Sequence, residues 1–240
     1  MLTPIQEYEN RIVGTTEEDN PELEGAIALL AREHAATVGA SAGMEAESTY
    51  QDERNQRQEQ TIEAYARSRG IWTDNTCNTL TSKYGEAIAR GAESIVYAMD
   101  GHTVIKAKNT LQYHDLQEAM WAIKLHNQLS PEVRLTLHGF GRNSDGDFCI
   151  IISQPFVKIS RCLTQEEICA FVSEVYPTFA SDTEIPLPGR FTNGSIHLND
   201  LHPANVLCDT HGDIVVIDSI VRLSGYNEIL SHIEDSATTM

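Results

Sequence analysis

The chain has 240 residues, enough for one compact domain with or without an appendage and enough to bury a real core. Hydrophobic residues make up 41%, which excludes disorder throughout, and 35 acidic residues against 17 basic ones exclude the basic footprint of a general nucleic-acid or anionic-membrane binder. No stretch approaches the ~20 apolar residues of a membrane span. The acidic opening Met1–Asn10 has no apolar core, so a cytoplasmic protein is expected rather than a secreted one.

The first 60 residues carry thirteen acids and four arginines, half the excess charge in a quarter of the chain. Asn20-Pro21 opens a helix, with proline at the first helical position and acids in the first turn. Leu23, Ile27 and Leu30 share one face of it. Gly39 and Gly43 interrupt the pattern, and a very polar helical run follows from about Met44 to Arg69. This segment reads as a solvated helical extension, with a protein-docking arm as the sharper alternative.

From Ile71 the texture changes. Ile95–Met99 and Thr103–Lys106 are short β-type runs joined by Asp100-Gly101, a strong hairpin signal. A helix follows, with Asp115 as N-cap and Glu118 three residues on as in a capping box, and it stops before Pro131. Val133–Leu137 and Phe148–Ile152 read as strands around the turn Asn143–Gly146. Thr164-x-x-Glu167 opens another helix, expected to reach about Phe179. After a loop with Pro186 and Pro188, the runs Ile196–Leu198, Val206–Cys208 and Ile214–Ile217 read as strands. With a first strand around Ala87–Arg90, the expectation is an α+β fold: a five-stranded antiparallel sheet with one helix, then a smaller second lobe. The five cysteines contain no C-x-x-C pair, so neither a disulfide framework nor a cysteine zinc site is expected, and most should be buried. Trp72 and Trp121 read as core.

The chemistry concentrates in Asn199-Asp200-Leu201-His202-Pro203-Ala204-Asn205-Val206-Leu207, followed by Val216-Ile217-Asp218. Phosphoryl transfer needs a carboxylate to orient or accept the proton of an attacking hydroxyl, and hard oxygen ligands for Mg²⁺. Asp200 can be the first; Asn205 and Asp218 can be the metal ligands. A metal cluster of His197, Asp200 and His202 is a weaker alternative, because a hydrolytic site wants further spaced ligands. His202 is better read as orienting the loop around Asp200.

These residues resemble the catalytic loop and metal-binding aspartate of the protein-kinase-like superfamily. Asp-Leu-His-Pro-Ala-Asn-Val-Leu is close to aminoglycoside- and choline-kinase loops, and the run from about Gln60 to Leu223 resembles small bacterial and phage domains called polyvalent protein kinases. The resemblance implies a reduced bilobal kinase-like domain over 61–240, with an N-lobe at about 71–155, a truncated C-lobe at about 156–240 and the acidic extension at 1–60. It implies that ATP and Mg²⁺ are used and a γ-phosphoryl group is transferred to a hydroxyl of a protein or small molecule. Lys106, the charge within Val104–Ala107, would bind the α/β-phosphates and pair with Glu118. A capping duty alone is the rival for Glu118, and an edge-strand surface lysine is the rival for Lys106. Gly91 and Ser94 would belong to the loop over the phosphates, in which Ala89 and Ser94 replace glycines. Gln154 and Phe156 would sit at the hinge that meets adenine.

The departures are specific. Leu198 and Asn199 stand where many protein kinases have His and Arg, and Ser219-Ile220 replaces Phe-Gly after the metal-binding aspartate. Only 22 residues follow Asp218, so a long activation segment and a peptide-docking lobe are not expected. A nucleotide-binding pseudokinase and a nucleotidyl transferase are the alternatives to a kinase.

Overall fold

The computed structural model describes residues 20–38, 47–183 and 187–226; the opening decapeptide, Gly39, Gly43 and Pro186 lie outside them. These residues divide into two compact units. The first holds 20–38, 47–121 and 135–154; the second holds 122–134, 155–183 and 187–226.

The first unit starts with α1 (Pro21–Val38) and α2 (Glu47–Arg69), which pack together. Asn20 caps α1 by accepting the Leu23 N–H at 3.2 Å. Leu23, Ala26, Ile27 and Leu30 are buried on one side. Glu22 accepts hydrogen bonds from Tyr65 and Arg69 of α2; the Arg69 guanidinium draws its carboxyl below the ordinary range, against an opposing push from burial. In α2 the buried stripe is Arg54, Gln58, Ile62 and Ala66, an i, i+4 series whose first half is polar.

Next come β1 (Trp72–Thr73), α3 (Thr76–Tyr84), β2 (Ala89–Arg90), β3 (Ser94–Ala98), β4 (Thr103–Asn109), α4 (Leu116–Leu129), β5 (Thr136–Arg142) and β6 (Phe148–Pro155). The sheet has six strands in the order β1-β5-β6-β4-β3-β2, not five, and β1 pairs parallel with β5, so it is not purely antiparallel. Residues 131–133 form a 3-10 turn, which delays the expected strand to Thr136. Leu80 of α3 packs with Tyr97, Ile105, Ala107 and Ile151 on one face of the sheet. Side chains alternate along a strand, so Lys106 and Lys108 occupy the other face of β4. Both are buried, and β4 lies between β3 and β6. The edge-strand reading of Lys106 is therefore corrected.

The second unit contains the end of α4, then β7 (Ile159–Cys162), α5 (Gln165–Val175), β8 (Ala180–Ser181), β9 (Phe191–Thr192), β10 (Ile196–Asn199), β11 (Val206–Asp209), β12 (Ile214–Val216) and β13 (Ile220–Leu223). These strands form two small sheets, β13-β10-β9-β8 and β12-β11-β7. Val133, Leu207 and Val215 form a core, with Val157 and Ile217 against it. The capping box at Thr164 and Glu167 is complete, but α5 stops at Val175, short of the expected Phe179. Tyr176 leaves the helix, and its hydroxyl donates to the Leu129 carbonyl at 2.7 Å.

All five cysteines are free. Cys149 and Cys208 are buried, Cys77 and Cys169 half-buried, and Cys162 is exposed, so fewer are interior than expected. Burial pushes the Cys149 thiol up to about 11. Trp121 is core, whereas Trp72 is only half-buried, with Arg67 over its ring and its indole N–H on Asp74. No helix among the described residues is long and apolar enough to cross a membrane.

Candidate active site

Two antiparallel pairings of the second unit end at one place. β10 pairs with β13 so that Asn199 lies opposite Ile220. Asp200 follows at once where that ladder ends, and Ser219 immediately precedes it on the other strand. β11 pairs with β12 so that Val206 lies opposite Val216. One step further, the Ile217 N–H donates to the Asn205 carbonyl at 2.9 Å. The loop 200–205 and the segment 217–219 thus face each other, with Asp218 between two backbone anchors.

Within that loop the side chains converge on Asp200. Asn205 Nδ2 donates to Asp200 Oδ2 at 2.7 Å and to the Asp200 carbonyl at 3.0 Å. This leaves the Asn205 amide oxygen as its remaining acceptor. His202 Nδ1 accepts the Ala204 N–H at 3.2 Å, and its Nε2 stands 3.2 Å from Asp200 Oδ1 and 3.3 Å from Asn205 Nδ2. His202 thus lies against both Asp200 and Asn205. His197 belongs elsewhere: its Nδ1 is 3.5 Å from Asp182, a buried carboxylate that also faces Arg190 at 3.8 Å. Among the described residues no three His, Cys, Asp or Glu side chains group as a metal cluster, which weakens the His197–Asp200–His202 alternative. An amide oxygen and one carboxylate, by contrast, are the hard donors that Mg²⁺ accepts beside phosphate oxygens and waters.

Asp200 has φ 66°, one of two non-glycine residues with positive φ among those described. The left-handed region is costly for L-residues, and Asp and Asn tolerate it best. Its cause is nearby. The Leu201 N–H donates to the Gly189 carbonyl at 3.0 Å, and Gln165 donates to the Leu201 carbonyl at 3.2 Å. The chain is held on both sides of Leu201, and Asp200 takes up the turn. Gly189 has φ 78°, and a Cβ there would stand 2.5 Å from the Leu201 carbonyl oxygen. Gly189→Ala is expected to destabilise the protein by about 2 kcal/mol or more. That lowers its thermal midpoint by roughly 4–8 °C at 2–4 °C per kcal/mol. Calorimetry checks it, and a midpoint equal to the parent's contradicts it.

Sequence reasoning singled out neither Gly189 nor Gln165, which are distant in the chain and belong to no motif. It also gave no role to His126, a buried residue of α4 whose Nδ1 is 3.5 Å from the Ser219 hydroxyl and whose Nε2 is 3.3 Å from the Val133 carbonyl.

Of the other candidate residues, Lys106, Glu118, Gly91, Ser94 and Gln154 belong to the first unit and Phe156 to the second. Lys106 is buried on β4, and Glu118 is buried in the first turn of α4. Glu118 does perform capping: its N–H donates to Asp115 Oδ1 at 2.8 Å, and its Oε2 accepts the His114 N–H at 2.7 Å. Gly91 and Ser94 close the β2–β3 turn by the Gly91 N–H to Ser94 carbonyl bond of 2.9 Å. Asn109, at the end of β4, ties the Ala92 carbonyl into that turn at 3.0 Å. A Cβ at Gly91 would meet only the Ser94 carbonyl oxygen, at 3.8 Å, so the backbone itself does not demand glycine there. Gln154 is buried at the end of β6, and its Oε1 has no hydrogen-bond partner among the described residues. Phe156 is exposed just beyond. A surface depression lined by Asn75, Asn78, Thr79, Ser82 and Lys83 contains none of these residues.

No curated protein matches the chain. Among solved structures, the LegK7 effector kinase of Legionella pneumophila is a distant match, with 13% identity and a TM-score of 0.21, over 98% of this chain and 64% of that one. Residues 55–225, more than half of the chain, match the family described as the serine/threonine/tyrosine kinase found in polyvalent proteins. The chain belongs to that family of kinase domains.

Proposed function

We propose that the chain transfers the γ-phosphoryl group of Mg-ATP to a hydroxyl of a protein or small molecule. The observation that carries this reading is the shared end of the β10–β13 and β11–β12 pairings. There the Asp200 carboxylate is met by Asn205 and His202, and Asp218 directly follows Ile217, whose N–H is bonded to the Asn205 carbonyl. In the reaction the bond from the γ-phosphorus to the β,γ-bridging oxygen breaks, and ADP leaves with the electron pair. A bond from the acceptor oxygen to phosphorus forms, and the hydroxyl proton passes to Asp200.

Asn205 and Asp218 would hold Mg²⁺, which when bound neutralises charge on the phosphate oxygens. Lys106 would meet the α/β-phosphates. Burial disfavours a lysine's charge, and a fixed anion restores it. Glu118 would steady Lys106 with the carboxylate oxygen not engaged by His114. Gly91 and Ser94 would cover the phosphates, and Gln154 and Phe156 would meet adenine. In this reading the first unit is the nucleotide-gripping lobe of a reduced kinase-like fold and the second is its catalytic lobe. The acidic helices pack into the first unit rather than standing off as a solvated extension, and their exposed faces would dock a protein partner.

The test is to incubate the full chain, with and without a lysate as acceptor source, with Mg²⁺ and ATP labelled at the γ or the α position. Transfer or release of γ-label, none from the α position, and loss of both with EDTA are expected. Incorporation of α-label would instead indicate nucleotidyl transfer. An ATP-dependent thermal shift without any turnover would indicate a binding module.

A further inference from the structure

The first turn of α4 is held by side chains of α2, some sixty residues earlier in the chain. A helix begins with N–H groups that have no partner within it. Here Gln58 Oε1 accepts the N–H of Leu116 at 2.9 Å and of Gln117 at 3.3 Å. Asp115 Oδ1 accepts the N–H of Glu118, and the Asp115 carbonyl accepts that of Ala119 at 3.2 Å. Asp115 Oδ2 is 2.6 Å from Arg54. Gln51 adds a hydrogen bond to the His114 carbonyl at 2.8 Å. Arg54, Gln58, Asp115, Gln117 and Glu118 are all buried. Four successive N–H groups are therefore satisfied, two of them by a different helix.

A buried ion pair and a buried amide on α2 add little net stability compared with apolar residues of the same size, because desolvation offsets their attraction. What they supply is direction: a first turn anchored at one angle and one height. That turn carries Glu118. We infer that Arg54 and Gln58 are positioning residues that set the Glu118 carboxylate for phosphoryl transfer. The inference rests on the function proposed above.

The test is a double-mutant cycle in the full chain, reading release of phosphate from γ-labelled Mg-ATP. Arg54→Met and Gln58→Met are each expected to lower kcat about tenfold with the KM for Mg-ATP within about threefold, the range of a coupling of one to two kcal/mol. In a Glu118→Gln background the same substitutions are expected to cost less than about twofold, because the group they position is already gone. Gln58→Glu retains the accepting oxygen and is expected to keep most of the activity. Amide hydrogen exchange at 116–118 should be faster in the two methionine variants. Equal losses in both backgrounds, or unchanged exchange, overturn the positioning role and leave phosphoryl transfer standing. An unmutated chain that releases no label overturns phosphoryl transfer, and the positioning role falls with it. If Arg54→Met fails to fold, the Gln58 pair of variants decides alone.

Discussion

Asp218→Ala is expected to lower nucleotide turnover by two to three orders of magnitude or more, the loss seen when one preorganised charge at a reacting centre is removed. Its thermal midpoint should move by less than about 4 °C, because backbone hydrogen bonds fix the segment on either side of it. The segment is fixed on one side by the Ile217 N–H on the Asn205 carbonyl and on the other by the β10–β13 ladder, which are backbone bonds. The contrast with Asn205→Ala is informative. Asn205 also holds Asp200 through two hydrogen bonds, so its removal should cost both activity and loop order. If the alanine at 218 turns over ATP at the parental rate in excess Mg²⁺, Asp218 is not a metal ligand and the assignment fails. Activity lost together with the fold, seen as a collapsed melting transition, would make Asp218 structural instead.

The loop residues of the candidate site stand out in the sequence because they are written contiguously. Asp200 and Asn205 are five apart on one loop, and Asp218 ends an apolar run, so local pattern and chemistry coincide. The hairpin at Asp100-Gly101, the Asp115 cap and the capping box at Thr164 were legible for the same reason, since turn and cap residues act on their own neighbours; at Asp115 the box is only half made, because Glu118 accepts the His114 N–H instead. What escaped depends on partners far along the chain. β1 is two residues long and exists through its parallel pairing with Phe140 and Gly141. α3 is nine residues, rich in threonine, and buries only Thr76 and Leu80; its N-cap Asn75 makes no side-chain cap bond. Its apolar 3.6-residue period is too thin to mark it as a helix. Arg54 and Gln58 share a helical stripe with Ile62 and Ala66, but polar residues in a polar helix read as a solvated face. Only Asp115 and the N–H groups of Leu116 and Gln117 show why they are buried. Gly189 was silent because its constraint is a steric one with Leu201, invisible without the fold.

Asp200→Asn should lower kcat by two to four orders of magnitude while leaving the protein's stability nearly unchanged, and a short series at this position separates the chemistry from the backbone. The residue does two things. It offers a carboxylate, and it occupies φ 66° between two anchored neighbours. Asparagine keeps the left-handed preference and an oxygen for Asn205 Nδ2, yet it accepts a proton far more weakly, so the loss should approach the full contribution of a general base. Glycine also accepts the backbone conformation but makes neither side-chain bond, so it should be as inactive and mildly less stable. Alanine has no compensating side-chain bond and carries the Cβ penalty, about 1–2 kcal/mol. It should therefore be the least stable of the three, with a midpoint several degrees below that of the asparagine variant. Single-turnover rates and melting curves on the three proteins give both coordinates. Rates that follow stability from asparagine to glycine to alanine would mean that Asp200 serves the loop and not the proton. Rates uniformly low while only the alanine midpoint falls sharply would mean that the carboxylate is the reacting group and that its strained backbone is the means by which it is aimed.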